Sequence, residues 1–382
     1  DGDLSGLQTI QIGRSTNIND TDGFASNTSA NINLSLDFQS GNCTTKIPKN
    51  AFNGYSGNMI NVVIYGNVTD SNGITLESGS FCNMPNMAKL PMTNSISLKT
   101  IPENCMNNLI SLTSATTGYV VDVEGCNDMP NLTTLKIESS CEIVNGFNNC
   151  PKLKSLSFMS DGKVKEIGGL NNNAITTFYI PNMALSVSGV NNCSALTTVV
   201  IGASLTSFTG FNNCPKLNKF TVDSSNTTFK VVDNNLCQGN KLCRVPMSKS
   251  DIVVTNGTTE IMSNAIQIAF VNSISIPNGC ILANDSIKCQ SVGQIIFHTS
   301  FNTETGKYNN LTLTDFSTLD NVQVGTIFAY GNGITDTTNA NCLPIVKYCI
   351  EHNINYVDMN ETNTNARGTI GISGNAELDG DN

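Results

Sequence analysis

Two histidines are the side chains best suited to acid–base or nucleophilic catalysis in this chain. A hydrolase or transferase needs a base held against a nucleophile or an acid, and histidine is the usual base. His298 follows a predicted strand, and His352 lies at the end of a predicted helix far along the sequence. Cys289 could pair with His298 by spacing alone, but nothing near it in the sequence marks it as a thiolate. The pattern predicts surface or capping histidines and no enzyme.

Metal and cofactor motifs are missing from the sequence. No C-x-x-C or H-E-x-x-H segment is present to supply closely spaced zinc ligands. Asp20, Asp22 and Gly23 match part of a calcium loop, but Ile18 stands where its first ligand would be and no glutamate closes it. No glycine-rich phosphate loop occurs either. We therefore expect no metal and no cofactor.

The chain has 14 cysteines, which is a high number for a protein of 382 residues. A chain of this length does not need disulfides to fold, and several cysteines stand at one equivalent position of a repeated motif. We therefore expect most of them to be small buried apolar residues. Cys237 and Cys243 are close enough in sequence to close a loop in an oxidising compartment, and this alternative stays open.

Charge and the length of the apolar runs argue against nucleic-acid binding and against a membrane-spanning helix. The formal net charge is −10, and the 20 lysines and arginines form no basic cluster, so nucleic acid is not an expected partner. No apolar run approaches the roughly 20 residues that a membrane-spanning helix needs. Only 13% of the residues are charged, so asparagine, threonine, serine and glycine must cover much of the surface.

A short motif recurs along the middle of the chain. Gly146–Leu153 and Gly210–Leu217 both read GFNNCPKL, and Gly189–Leu196 reads GVNNCSAL. A degenerate copy begins at Gly125 and a shortened one at Gly169, so successive copies start a little over twenty residues apart. That period lies in the range of leucine-rich repeats, whose units are stable only when stacked on their neighbours.

Each copy of the motif is followed by a short β pattern. Counting from its last apolar residue, positions four and six are apolar and should point into the core, as Val199 and Ile201 do after Leu196. Positions three and five should then point outward and line a ligand-binding face, with Tyr179 as the best single anchor. A merely solvated sheet face is the alternative. The outward positions are Thr134, Lys136, Ser155, Ser157, Thr177, Tyr179, Thr198, Val200, Lys219 and Thr221.

The Asn-Asn-Cys step before each strand has a structural explanation. Backbone groups at the turn of a coil need partners, which asparagine amides can supply, and asparagine tolerates tight turns. Cysteines at equivalent positions of stacked repeats should form a buried column, not a metal or catalytic site; Met84 and Met129 occupy the same position. The predicted structural ladder consists of Cys150, Cys193, Cys214, Asn149, Asn192 and Asn213.

The repeats predict a mainly β fold, a right-handed leucine-rich repeat solenoid with a parallel sheet on its concave face. We expect a single domain over residues 1–359 with about fifteen coils. An amphipathic helix capped by residues 337–341, followed by a last strand, should form a C-terminal helical cap within residues 337–359. Residues 360–382 are rich in asparagine, glycine and threonine and are expected to be a flexible polar tail or a linker.

The chain resembles the BspA-like leucine-rich repeats of bacterial surface proteins, also called the Treponema pallidum type. The resemblance rests on Ile-Pro steps and Ala-Phe turns, as at 47–48 and 51–52, and it covers most of residues 7–359. The central copies depart from it by carrying Gly-Phe, Gly-Val or Gly-Leu in place of Ala-Phe. The resemblance implies a secreted or surface-anchored protein of host-associated bacteria. The chain begins without an apolar signal segment, so we expect that a signal peptide was removed or that none existed.

Three functions are compatible with these features. The first is a non-enzymatic recognition module that adheres, as a monomer, to a protein or glycan of a host or neighbouring cell. The second is a structural spacer that projects other domains from the cell surface. The third is a carbohydrate-active solenoid enzyme, which would need carboxylates clustered on one face, and the clear repeats lack such a cluster. We expect them in that order.

Overall fold

The computed structural model describes residues 46–57, 75–90 and 98–360, and the backbone of the strands at 9–12, 32–37, 59–65 and 369–370. These residues form a mainly β, parallel solenoid of about nine turns. The prediction of a mainly β solenoid with parallel strands is therefore confirmed. Contacts between Cα atoms divide the chain into two compact units, Asp1–Lys216 with Thr221–Thr227 and Leu217–Phe220 with Thr228–Asn382. The expected single domain and the count of about fifteen coils stay predictions.

The first unit begins with two small parallel sheets. Strands β1, β2 and β4 pair in that order, and β3 pairs with β5. Their bounds are β1 Thr9–Ile12, β2 Ile32–Asp37, β3 Lys46–Ile47, β4 Met59–Tyr65 and β5 Thr75–Leu76. The partial calcium-loop match at residues 20–23 lies outside the described residues.

From residue 100 onward, each coil of the first unit contributes one two-residue strand and one strand of three or four residues. The two-residue strands form one parallel sheet made of β6 Thr100–Ile101, β8 Asp122–Val123, β10 Ile143–Val144, β12 Glu166–Ile167, β14 Ser186–Val187 and β16 Ser207–Phe208. The longer strands form two parallel sheets of three. One consists of β7 Ser114–Thr116, β9 Thr134–Ile137 and β11 Ser155–Phe158; the other consists of β13 Thr177–Tyr179, β15 Thr198–Ile201 and β17 Lys219–Val222.

Alternating side chains explain why these short segments are strands. In β9, Thr134 and Lys136 are exposed while Leu135 and Ile137 are buried, so the strand has one apolar face. The leucines that precede the strands, including Leu132 and Leu153, are also fully buried. Each coil therefore buries its apolar side chains against the coils above and below it, as stacked repeats require.

The second unit begins with an antiparallel meander. Strands β18 Phe229–Val232, β19 Asn235–Gln238 and β20 Lys241–Arg244 pair in chain order, and the parallel strands β22 Glu260–Ile261 and β24 Ile281–Leu282 continue the same sheet. A second sheet holds the longer strands. These are β21 Asp251–Val253, β23 Phe270–Ile276, β25 Ser291–Phe297, β28 Gln323–Ala329, β29 Asn355–Asp358 and β30 Thr369–Ile370, of which only β30 is antiparallel to its neighbour.

Three short elements complete the second unit. A hairpin joins β26 Phe301–Asn302 to β27 Lys307–Tyr308, and a single 3₁₀ turn covers Ser317–Leu319. The helix α1 covers Pro344–Glu351 and buries Ile345, Val346 and Cys349.

The predicted cap at the start of α1 is wrong in its position. Leu343 is the N-cap residue, and its side chain makes no capping hydrogen bond, whereas we expected residues 337–341 to cap the helix. Pro344 sets the start instead, because proline fixes a helical φ at the first position of a helix and has no N–H that needs a partner there. Residues 361–368 and 371–382 of the expected polar tail lie outside the described residues.

Candidate functional site

The structure places all ten predicted outward residues on the solvent side of their strands. Thr134, Lys136, Ser155, Ser157, Tyr179 and Lys219 are exposed, and Thr177, Thr198, Val200 and Thr221 are half-buried. Strand pairing arranges them in two rows. Thr134 lies beside Ser155 and Lys136 beside Ser157, while Thr177 lies beside Thr198 and Tyr179 beside Val200.

The sheet that carries these rows is interrupted between β11 and β13. The two strands belong to different sheets, although their segments still meet just before them, where the Ala174 N–H donates to the Leu153 carbonyl at 2.9 Å. Strand β13 follows the shortened repeat. Leu156 and Phe158 of β11 are only half-buried, whereas we expected both in the core. Because β13 is not paired with β11, it does not cover these two side chains as a neighbouring coil would.

A groove of about 750 Å³ lies along this interruption and the strands that follow it. Four of the predicted outward residues line it, namely Ser157, Tyr179, Val200 and Thr221. Its other lining residues are half-buried or buried apolar strand residues and residues of the turns after each strand, namely Leu156, Phe158, Met159, Ser160, Ile180, Pro181, Asn182, Ile201, Gly202, Val222 and Asp223. We call this cavity the strand-end groove. Tyr179 is its most prominent ring, with 59% of its surface exposed.

The turns at the rim of the strand-end groove are held by hydrogen bonds between coils. The side chain of Asn182 accepts the Ala203 N–H at 3.2 Å, and its carbonyl accepts the Ser204 N–H at 3.1 Å. The Asn226 amide donates to the Gly202 carbonyl at 2.8 Å. Gly202 is needed here because a Cβ would come within 2.5 Å of the Pro181 carbonyl oxygen. Hydrogen bonds and close backbone approach therefore hold these turns against the neighbouring coils.

Sequence reasoning missed the turn residues of this groove. Met159, Pro181 and Asn182 follow the strands, where the repeat pattern predicts only connections. Leu156 and Phe158 were missed because the spacing assigns them to the core. The clue in the sequence was the shortened repeat at Gly169, which marks the place where neighbouring coils differ.

Lys136 does not line the strand-end groove. It lies on β9, where its Nζ is 3.0 Å from Glu138 Oε1, and the Thr116 hydroxyl donates to the same oxygen. The hydrogen bond from Lys136 lowers the pKa of the Glu138 carboxyl, so this carboxylate keeps its charge to lower pH than an isolated glutamate. The structure therefore separates Lys136 from Tyr179.

Lys219 and Thr221 lie on β17, the strand within which the chain passes from one unit to the other. Thr221 belongs to the first unit and lines the strand-end groove, while Lys219 is grouped with the second. Four predicted residues remain that do not line the groove. They pair as Thr134 with Ser155 and as Thr177 with Thr198.

The Asn-Asn steps form two parallel ladders of amides on another side of the first unit. In the inner ladder, each side-chain oxygen accepts the backbone N–H of the equivalent residue one coil on, as Asn148 does from Asn171 at 3.2 Å. In the outer ladder, the side chains bond to one another, as Asn213 does to Asn192 at 3.0 Å. The outer residues adopt the left-handed backbone conformation, with Asn149 at φ 56°. The predicted Asn149, Asn192 and Asn213 therefore all lie in the outer ladder.

A second groove of about 500 Å³ runs along these ladders. It is lined by asparagines of both ladders and by Asp128, which takes an asparagine position and accepts the Asn149 amide at 2.8 Å. The amides that line it largely serve each other and the backbone.

The predicted cysteine column is buried in the first unit. Cys150, Cys193 and Cys214 have no exposed surface. Burial raises the pKa of the Cys150 thiol to about 12, whereas the hydrogen bond with Cys214 lowers the pKa of Cys193. No disulfide joins any cysteines in the described part of the chain.

The cysteine and the histidines considered as catalytic candidates have other surroundings in the second unit. Burial raises the pKa of the Cys289 thiol above its ordinary value, which disfavours the thiolate. The ring of His298 is hydrogen-bonded to the Ser275 hydroxyl through Nε2 at 2.8 Å. His352 stacks on Tyr348 at the end of α1, and its Nδ1 lies 2.9 Å from the Tyr348 carbonyl oxygen.

The described residues provide neither a metal-binding cluster nor a membrane-spanning helix. In residues 46–57, 75–90 and 98–360, no three His, Cys, Asp or Glu side chains are grouped so that they could hold a metal ion. Within the same ranges, no helix has both the length and the apolar character to cross a bilayer.

Comparison with known proteins gives structural similarity without a sequence family. No family model matches the chain, and no curated protein matches it. A leucine-rich cell surface protein from Faecalibacterium prausnitzii A2-165 is similar in structure, with 16% identity, 84% of this chain and 91% of that chain covered, and a TM-score of 0.42. A leucine-rich repeat protein from Eubacterium ventriosum ATCC 27560 gives 14% identity over 61% of this chain and 81% of that chain, with a TM-score of 0.42.

The pneumococcal vaccine antigen PcpA is a third similar structure. It shares 13% identity, with 69% of this chain and 75% of that chain covered and a TM-score of 0.35.

Proposed function

We propose that the chain is a non-enzymatic recognition module that binds a protein of a host or neighbouring cell through the strand-end groove. One observation carries the proposal: Tyr179 keeps 59% of its surface exposed beside the apolar lining of the groove. A tyrosine ring offers a large contact area at a small cost in side-chain entropy, and such rings dominate protein interfaces. A concave surface lined by apolar residues with a few polar groups is typical of a binding site.

The lining of the groove favours a protein over a glycan. The half-buried Leu156 and Phe158 supply apolar surface that suits an apolar side chain of the partner. Ser157 and Asn182 supply hydrogen-bonding groups beside that surface, which would fix the orientation of a bound segment. A glycan ligand is the alternative that an experiment must distinguish.

An array of purified matrix proteins, cell-surface glycoproteins and free glycans tests this proposal. The variant Tyr179→Ala should weaken saturable binding of a protein about tenfold or more, because tyrosine anchors of this kind contribute over about 1.4 kcal/mol. The matched control is Tyr119→Ala, since Tyr119 is 53% exposed in the same unit and does not line the groove. If the Tyr179 variant bound like the wild type, the groove would not be the site. Loss confined to free glycans would make the ligand a glycan.

We infer that the chain is a BspA-like repeat protein that lies outside a bacterial cell and acts as a monomer. A composition rich in asparagine and threonine, with few charged residues and a repeated Asn-Asn-Cys step, supports this inference. The right-handed winding and the concave position of the sheet belong to the same proposal. The buried Ile345, Val346 and Cys349 of α1 support its role as the C-terminal cap.

A structural spacer is the second candidate, and the amide ladders favour it. Side-chain hydrogen bonds link Asn127 to Asn148, Asn148 to Asn171 and Asn171 to Asn191, so several successive coils are tied together. Such a connection stiffens the array irrespective of any ligand. A wild-type chain that bound nothing on the array would favour the spacer over the recognition module.

A further inference from the structure

The second unit carries an exposed aromatic cluster that the repeat pattern does not explain. On the β26–β27 hairpin, the rings of Phe301 and Tyr308 meet edge-on at 5.0 Å, and Tyr308 stacks on Tyr330 at 4.3 Å. Phe301 remains 52% exposed and Tyr308 41% exposed. Exposed aromatic rings cost free energy in water, so a cluster of them marks a surface that is covered when the protein functions.

A groove of about 400 Å³ lies beside Tyr308. Hydrophilic groups from three segments line it. They are Asn302, Thr305, Lys307, Asn309 and Asn310 of the hairpin region, Gly331, Asn332 and Gly333 after β28, and Asp358 and Asn360 at the end of β29. We call this cavity the hairpin groove.

Asn360 fixes the hairpin in its place. Its side-chain oxygen accepts the Tyr308 N–H at 3.2 Å, and its amide donates to the Tyr308 carbonyl at 2.8 Å and to the Gly331 carbonyl at 3.1 Å. One asparagine therefore bonds to two of the segments that line the hairpin groove. A ligand that binds there would meet a surface that is already arranged.

Asp358 is a buried acceptor in the wall of the hairpin groove. Only 5% of it is exposed, and its carboxylate accepts the backbone N–H groups of Gly331, Gly333 and Asn360 at 2.9–3.0 Å. Two of these bonds go to Oδ1 and one goes to Oδ2, so Oδ2 retains capacity for a further donor. Gly331 leaves room for the carboxylate, because a Cβ there would come within 2.4 Å of Asp358 Oδ2.

We propose that the hairpin groove is a second binding site and that its ligand is a neutral saccharide. The C–H groups on one face of a sugar ring would pack on Tyr308, because an aromatic ring offers an apolar and electron-rich face. Sugar hydroxyls would donate to Asp358 Oδ2 and bond to the amides of Asn302 and Asn310. The site is separate from the strand-end groove and does not depend on the function proposed for that groove.

The charge and the chemical groups of the lining favour a neutral saccharide over an acidic sugar or an apolar peptide. The Asp358 carboxylate in the wall and the net charge of −10 on the chain oppose the Lys307 cation of the lining, so an acidic sugar is not favoured. The rest of the lining is mostly amide, hydroxyl and backbone groups, with Tyr308 as its aromatic member, which suits a hydroxylated ligand better than an apolar peptide.

Titration of the whole chain with soluble oligosaccharides tests the proposal. The panel contains cellotetraose, xylotetraose, mannotetraose, N-acetyllactosamine and triacetylchitotriose, with sialyllactose as the acidic member. Binding is measured by saturation-transfer NMR and calorimetry. We expect one or more neutral members to bind at up to millimolar concentrations, which is usual for a small exposed site. Tyr308→Ala should then weaken binding at least tenfold, whereas Tyr308→Phe, which keeps the ring, should retain it.

Two further variants keep the test decisive. Asn310→Ala removes one exposed amide without touching the hairpin core, so it should weaken binding several-fold even if Tyr308→Ala disturbs the fold. Phe270→Ala removes a ring that is 69% exposed elsewhere in the second unit, and it should change nothing. The proposal is overturned if no neutral member binds, if only sialyllactose binds, or if Phe270→Ala weakens binding as much as the groove variants do.

The proposals for the two grooves can be disproved independently of each other. Tyr179→Ala should leave oligosaccharide binding unchanged, and Tyr308→Ala should leave binding to the protein array unchanged.

Discussion

The two asparagines of each Asn-Asn step occupy different environments. Asn148 is half-buried and its oxygen accepts a backbone N–H from the next coil, while Asn149 is exposed and adopts the left-handed conformation. The sequence predicts that asparagines serve the turn, because the turn needs both polar partners and a tolerant backbone. It does not reveal which asparagine does which, since the two are chemically the same.

Substitutions at one step should separate these roles. In Asn171→Ala, the Asn191 N–H loses the acceptor that now lies at 2.8 Å, so the free energy of unfolding should fall by about 1–3 kcal/mol. In Asn172→Gly, glycine tolerates the φ of 57°, so the change should stay below about 1 kcal/mol. Urea denaturation of both variants measures the difference. Equal losses of unfolding free energy would show that the inner ladder stabilises the fold no more than the outer ladder does.

Buried thiols should make the stability of the chain sensitive to alkaline pH. Burial raises the pKa of Cys105, Cys141 and Cys150 from an ordinary 9.0 to about 12. These thiols keep their protons up to a higher pH in the folded chain than in the unfolded chain. Their contribution is therefore complete below pH 9 and is lost as the pH rises towards 12.

Denaturation in urea at a series of pH values checks this expectation. The free energy of unfolding should decline as the pH rises from 9, and iodoacetamide should label the three cysteines at pH 8 only after unfolding. Rapid labelling of the folded chain at pH 8 would show that these thiols are not buried.

At the scale of elements, the strand-end groove exists because β11 and β13 do not pair. Each strand is predictable by itself, since its apolar positions recur at a fixed distance from the repeat motif. Whether two successive strands pair depends on how their coils stack, and that is not encoded in either strand alone. For this reason the sequence assigns Leu156 and Phe158 to the core, although the structure leaves them half-buried.

A pair of leucine variants tests whether the sheet is open at this place. Leu135 and Leu156 lie side by side on β9 and β11, but Leu135 is fully buried and Leu156 is half-buried. Leu135→Ala should lower the free energy of unfolding by about 2–5 kcal/mol, as buried leucines do, and Leu156→Ala should cost less than half as much. Chemical denaturation gives both values. Similar losses would mean that the sheet is closed over Leu156.

At the scale of the whole molecule, the chain carries two candidate ligand sites, one in each unit. The first could be predicted from the sequence in part, because its predicted lining residues recur with the repeat and Tyr179 stands out among small polar residues. These residues are Ser157, Tyr179, Val200 and Thr221. The second could not be predicted, since Tyr308, Asp358 and Asn360 belong to a hairpin and to strand ends outside the repeat pattern. A period identifies what the coils share, whereas both candidate sites lie where the coils differ.

Site-directed photo-crosslinking tests the central claim most directly. The benzophenone amino acid p-benzoylphenylalanine replaces Tyr179 in one variant and Tyr119 in another, and each purified chain is irradiated with the protein that binds the wild type on the array. We expect a crosslinked complex from position 179 and none from position 119, because only Tyr179 lines the strand-end groove. Crosslinking from position 119 with none from position 179 would contradict recognition through that groove.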